Sequence, residues 1–181
     1  MRILKQVKGS VLWLTDASSV IINNLRREAI KNGVKGDRLI FAPRLAFKED
    51  HLSRMQLADL FLDTLPYNAH TTCSDALQMG VPVLTCIGNS FTSRVAASLL
   101  NAVNLPELIA SSQDQCELLA VKLATNSEEF KSIKDKLVNN LPTAPLYDTK
   151  LFTKHLEYAY IKMNEKYYKG IDSEDIYVEL S

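Results

Sequence analysis

The chain has 181 residues, with 21 Lys and Arg set against 21 Asp and Glu. That length suits one domain with a real core, and the balanced charge argues against nucleic acid or an anionic membrane as the main partner. No apolar run approaches the ~18–20 residues needed to span a bilayer. Cys73, Cys86 and Cys116 form no CxxC pair, so neither a zinc ribbon nor a disulfide framework is indicated, and reduced cysteines fit a cytoplasmic setting.

Taken in order, Ile3, Leu4 and Val7 read as the end of an amphipathic helix, closed by Gly9 and Ser10. Residues 11–14 are apolar throughout, as in a buried strand. Ser18 or Ser19 can cap a helix that places Ile22, Leu25, Ala29 and Ile30 on one face and stops at Gly33. A strand over 38–42, a loop over 43–47 and a helix over about 49–57 come next. The run 57–63 has the composition of a central strand. The loop 64–69 leads into a helical turn that stops at Gly80. Residues 81–86 form a fourth strand, with Pro82 near its start, where a missing amide matters least.

A helix over about 92–103 follows, and then a short fifth strand over 108–110. Two helices are expected over 113–125 and 127–138, the second capped by Asn126 or Ser127. A Pro-containing loop spans 139–147. A last helix over 148–168 places Phe152, His155, Ala159 and Met163 near one face. Residues 171–181 form an acidic tail expected to be mobile. Strands alternating with helices predict an α/β fold, a parallel Rossmann-like sheet covered by helices on both faces. In such sheets ligands sit beyond the carboxyl ends of the strands, so the loops 43–47 and 64–69 are expected to face one crevice.

Two clusters carry candidate chemistry. His70, Thr71 and Thr72 open the helix after the central strand. Helix-opening amides lack intrahelical partners and favour an anion, to which the two hydroxyls and the His70 ring can add donors. Asp75, one turn deeper, suits a sugar hydroxyl better than a phosphate. The same residues also read as an ordinary N-cap preceded by a loop histidine. In the second cluster Lys48, His51 and Arg54 recur every three residues on one helical face. A ring that stacks, a guanidinium that reads a base edge and a lysine that reaches ribose or phosphate suit a nucleotide. Read alone, the same spacing describes a solvated face with Glu49 and Asp50 as salt-bridge partners.

The remaining candidates have plainer readings. His155 and Trp13 read as packed core. Arg94 reads equally as a phosphate contact or a surface ion pair. Cys73 makes a poor nucleophile, with no base beside it except His70.

The block running through Ala42-Pro43, Lys48-Glu49-Asp50-His51, Leu62-Asp63-Thr64, His70-Thr71-Thr72, Asp75-Ala76-Leu77, Gly80-Val81-Pro82-Val83 and Ser93-Arg94-Val95-Ala96-Ala97-Ser98 resembles the C-terminal lobe of the O-linked N-acetylglucosamine transferase and SPINDLY family. The wording is nearest to its bacterial tetratricopeptide-linked members. The resemblance covers about residues 3–170, and it implies half of a two-lobe GT-B glycosyltransferase. It implies that residues 1–170 form a nucleotide-sugar-binding lobe for UDP or UDP-N-acetylglucosamine, working without a metal cofactor. By motif position, Lys48, His51 and Arg54 would hold the uridine and Ala46 would offer backbone contacts to the uracil. His70, Thr71 and Thr72 would hold the diphosphate, and Asp75 the ribose.

Departures from the family pattern set further expectations. The sequence starts after the strand and loop that in the family carry a lysine near the diphosphate and a nearby glutamine. The acceptor-side lobe with its histidine and the helical repeats are likewise not in it. The loop 43–47 is one residue longer than in the animal enzymes. The chain is therefore expected to be inactive alone and to self-associate, or to pair with a protein acceptor or an N-terminal lobe. The alternative is a non-catalytic module that binds a uridine nucleotide or a protein.

Overall fold

Helices and strands alternate strictly from Arg2 to Thr125 in the computed structural model, which describes residues 1–178. The order is α1 (Arg2–Gln6), β1 (Leu12–Thr15), α2 (Ser19–Lys31), β2 (Leu39–Ala42), α3 (Lys48–Met55), β3 (Phe61–Leu62), α4 (Thr71–Gln78), β4 (Val83–Cys86), α5 (Val95–Ala102) and β5 (Ile109–Ala110). It closes with α6 (Gln113–Thr125), α7 (Ser127–Asn140) and α8 (Thr149–Tyr168). Local signals set many of these bounds. Ser18 accepts a bond from the Ile21 amide at the start of α2. Gly33 and Gly80, with φ near +73° and +74°, take the left-handed turn that ends α2 and α4.

All strand pairs are parallel, as helical crossovers require. β1 pairs with β2, Leu12 lying opposite Leu39. β4 lies between β3 and β5, with Phe61 opposite Val83 and Thr85 opposite Ile109. The sheet is thus divided into a two-stranded and a three-stranded ladder, and β1 and β3 share no pairing. Burial follows this division. β4, with a neighbour on each edge, is buried at every residue, whereas β1 and β3 are only partly buried.

The core is divided in the same way. A large cluster joins Leu77, Val83, Leu100, Leu105, Leu108 and Leu137. A small one joins Leu4, Ala29, Val34 and Leu39. Contacts between helices connect the parts. α1 lies on α6, where Arg2 Nε reaches Glu117 at 2.6 Å, and α3 lies on α4.

Several expected bounds move. The central strand shrinks to Phe61–Leu62, and Leu57 is 79% exposed. The amides of Gln56, Leu57 and Ala58 instead close turns onto Ser53, Arg54 and Met55, a geometry an apolar run does not reveal. α5 starts at Val95, behind a separate 3-10 turn at Phe91–Ser93 that Ser90 and Ser93 cap reciprocally. The expected loop 139–147 is the end of α7 plus two 3-10 turns, with Pro142 second in the first turn and Pro145 first in the second. Phe152 and Met163 on α8 are exposed rather than packed, and α8 has no buried residue. His155 is partly buried, and its enclosed Nε2 has no hydrogen-bond partner among the described residues. Residues 171–178 have no regular structure, although Glu174 reaches back to Lys166 at 2.7 Å. The rest of the expected acidic tail, 179–181, lies outside the described residues.

Candidate functional site

The carboxyl end of β3 feeds the loop 64–69 and then α4. His70 occupies the N-cap position of α4, and its side chain makes no capping bond. Neither Thr71 nor Thr72 is the cap, so the plain N-cap reading of those hydroxyls does not hold. Both side chains are exposed. The first bond of the helical ladder runs from the Ser74 amide to the His70 carbonyl at 3.1 Å. The amides of Thr71, Thr72 and Cys73 therefore precede the ladder. Side-chain caps are present on α2, α6, α7 and α8 and lacking on α1, α3, α4 and α5.

A cleft of about 320 Å³ lies against this uncapped end, lined among others by Asp63, Tyr67, Ala69, His70 and Thr72. Thr71 and Asp75 do not line it. Asp75 is partly buried, and its carboxylate has no hydrogen bond or ion pair among the described residues. The His70 ring is fixed by its neighbours. It stacks on Tyr67 with centroids 4.8 Å apart and meets Phe91 edge-on at 6.3 Å. Its Nε2 lies 3.5 Å from the Thr92 carbonyl oxygen, which also accepts the Asn68 amide at 2.9 Å.

Sequence reasoning passed over Asp63, reading it only as the end of a strand. Its Oδ1 accepts from the Thr64 amide at 2.8 Å and from the Ala69 amide at 2.7 Å. Its Oδ2 accepts from the Thr85 hydroxyl at 2.6 Å. A carboxylate ahead of a short hydroxyl-rich loop was the one available signal.

The second cluster follows the carboxyl end of β2. Lys48 and Ala46 are exposed, and no ion pair forms along α3, so the salt-bridged face expected for Glu49 and Asp50 is not built among the described residues. Arg54 is held by its surroundings. Its Nη1 donates to the Pro43 carbonyl at 2.5 Å, and its guanidinium lies over the Trp13 ring. Its Nη2 is 3.4 Å from His51 Nδ1. A guanidinium can only donate, so Nδ1 accepts, and a neutral His51 carries its proton on Nε2. The structure thus joins Arg54, His51 and the loop 43–47 in one unit, and the contact between α3 and α4 sets that unit beside α4.

Other candidates fall away. Arg94 donates to the Gly88 carbonyl at 3.0 Å and forms no ion pair among the described residues. Cys73 is fully buried, and burial, with the Asp63 charge second, pushes its thiol up to about 12, which removes it as a nucleophile. A larger, shallow depression along α7 is lined by solvated charges such as Glu128, Lys131 and Asp135 and lies away from both clusters. Among the described residues no group of His, Cys, Asp or Glu is placed to hold a metal ion, and no helix is long and apolar enough to cross a membrane.

Comparison with known proteins bears on the family and the fold. The sequence profile described as glycosyl transferase family 41 matches residues 1–156. The chain is 38% identical over 162 residues to a probable UDP-N-acetylglucosamine–peptide N-acetylglucosaminyltransferase SEC of Arabidopsis thaliana, covering 89% of this chain and 16% of that protein. It is 32% identical over 176 residues to a UDP-N-acetylglucosamine–peptide N-acetylglucosaminyltransferase of Caenorhabditis elegans, covering 97% of this chain and 15% of that one. In structure it matches an O-GlcNAc transferase mutant of Thermobaculum terrenum with a TM-score of 0.83 and 32% identity, over 90% of this chain and 32% of that one. The fold is that of the C-terminal half of a GT-B glycosyltransferase. This chain, which spans a small part of the length of its relatives, belongs to glycosyl transferase family 41.

Proposed function

We propose that this chain is the donor-binding lobe of a protein O-glycosyltransferase, holding UDP-N-acetylglucosamine for transfer to Ser or Thr and inactive by itself. The observation that carries the reading is the uncapped N-terminus of α4 opening on a cleft. An anion there meets unpartnered amides and the positive end of the helix dipole. Thr71, Thr72 and His70 add donors to the diphosphate, and Asp75, whose carboxylate has no partner among the described residues, takes a ribose hydroxyl. Lys48, His51 and Arg54, with the backbone of Ala46, form the uridine side. Charge on the departing UDP is stabilised by amides, hydroxyls and cations, with no metal in the scheme. Transfer needs donor, acceptor and leaving-group contacts in one geometry, and misplacement by about an ångström costs on the order of a hundredfold. A protein acceptor and an N-terminal lobe are therefore its partners.

The test combines calorimetry and transfer. UDP is expected to bind, and to bind better than ADP or GDP. Thr72→Ala is expected to weaken UDP by about 1–3 kcal/mol. The isolated chain is expected to transfer no radiolabelled sugar from UDP-N-acetylglucosamine to a protein acceptor. Equal affinities for the three diphosphates would remove the base-reading role, and turnover by the chain alone would overturn the inactive-lobe reading.

A further inference from the structure

We infer that Asp63 is the positioning residue of the phosphate side, an inference that rests on the nucleotide reading above. Its carboxylate does two things at once. Oδ1 takes the amides of Thr64 and Ala69, the first and last residues of the loop, and so closes the loop on itself. Oδ2 takes the hydroxyl of Thr85, which is 0% exposed inside β4, and so fastens the closed loop to the middle of the three-stranded ladder. Ala69 directly precedes His70, the N-cap of α4. The start of α4 is therefore referenced to the sheet through one carboxylate.

Asn68 supports the same closure from the other side. Its side-chain amide donates to the Thr64 carbonyl at 3.0 Å, and its backbone amide donates to Thr92. An anion site made of amides works only when those amides converge, and their convergence here depends on where Ala69 is held. Asp63 has both oxygens engaged by the protein, so its part is geometric and not a contact with the reacting atoms. Its negative charge near a diphosphate is unfavourable in itself, and that separates the two readings of the residue. If charge dominated, Asp63→Asn would tighten UDP as much as Asp63→Ala would. If position dominates, Asp63→Asn keeps an acceptor for the two amides and offers a donor to the Thr85 hydroxyl, and only Asp63→Ala releases the loop.

The experiment uses the full chain in wild-type, Asp63→Ala, Asp63→Asn and Thr85→Val forms. Calorimetry is done with UDP and with uridine, and amide hydrogen exchange is followed by mass spectrometry. Asp63→Ala is expected to lose about tenfold in UDP affinity, the effect of orphaning buried donors, while uridine affinity holds. Exchange should rise within residues 64–72 and not elsewhere. Asp63→Asn should recover most of the UDP loss, and Thr85→Val should show part of it. The inference is overturned if Asp63→Ala lowers UDP and uridine equally, if Asp63→Asn behaves as Asp63→Ala does, or if exchange rises across the whole chain. Unchanged UDP affinity and exchange in Asp63→Ala, with wild type binding UDP, overturns the role of Asp63 alone. A wild-type chain that binds neither ligand overturns the nucleotide reading and this inference with it.

Discussion

Arg54 places its guanidinium carbon 5.6 Å from the centroid of the Trp13 ring, and Trp13 is the only tryptophan in the chain. The same guanidinium is tied to Pro43 and to His51. Tryptophan emission therefore offers a label-free report on the cluster proposed to hold the uridine. Titration with UDP should change Trp13 fluorescence in wild type. Arg54→Ala should remove most of that change and weaken UDP by about 1–3 kcal/mol, through loss of the bond to Pro43 and of the His51 orientation. Arg54→Lys should not restore it, since an ammonium cannot reproduce a planar fork. A UDP-saturated chain with unaltered emission would show that this cluster does not sense the nucleotide.

Arg38 should matter for stability rather than for binding. Its guanidinium donates to the carbonyls of Ser10, Leu4 and Val7 at 2.6, 2.7 and 2.8 Å and to the Ser10 hydroxyl at 2.8 Å. These include carbonyls at the end of α1 that lack helical partners. Arg38→Met should lower the unfolding free energy by about 2–4 kcal/mol, because charged donors leave part-buried acceptors behind. Urea denaturation measures this directly, and uridine affinity of the folded fraction should stay constant.

Gly88→Ala should act on the site from a distance. A Cβ at Gly88 would lie 2.6 Å from the Ser93 Cβ and closer still to its hydroxyl. Ser93 is buried and shares reciprocal bonds with Ser90, and the adjoining Thr92 carbonyl receives the Asn68 amide and faces the His70 ring. Overpacking of this kind costs about 1–3 kcal/mol. A thermal melt should show that loss, and calorimetry should show weaker UDP binding with His70 displaced.

Cys73 gives a pH dependence of known sign. Burial, and then the Asp63 charge, raises its thiol from 9.0 to about 12. Between those values the folded chain keeps a proton that the unfolded chain releases. Its contribution to stability is therefore complete below pH ~9 and declines as pH rises toward 12, by at most about 1.4 kcal/mol per unit. The thiols of Cys86 and Cys116 are pushed the same way, again chiefly by burial. Urea midpoints from pH 8 to pH 10.5 should fall more steeply in wild type than in Cys73→Ala, and Cys73 should resist a thiol reagent until the chain unfolds.

What the sequence disclosed was mostly periodic or local. α2 was bounded by Ser18 and Gly33, and α4 by a loop and Gly80, because capping chemistry acts over three or four residues. The two clusters were legible for the same reason, each being the opening of one helix after one strand. The hidden features are tertiary. Asp63 gathers donors from positions 1, 6 and 22 residues away, and no spacing rule anticipates that combination. Trp13 read as core, yet it is partly buried beneath an arginine from another element. The run 57–63 has strand composition, but turns after α3 claim its first residues. The exposure of α8 was equally invisible, since an apolar face looks the same whether or not something covers it.

The separation of Leu4, Ala29, Val34 and Leu39 from the larger cluster bears on cooperativity. A cluster that small is expected to open at lower free energy than its neighbour, which predicts two unfolding thresholds instead of one. The Arg2–Glu117 pair that links α1 to α6 involves an arginine side chain that is 66% exposed, and salt screens such pairs. The loop 43–47 and the start of α3 are rooted in β2, on the weaker side. Under the proposed function, warming in salt should therefore release Lys48, His51 and Arg54 while the opening of α4 remains folded, leaving an intermediate expected to hold an anion but not to distinguish one base from another.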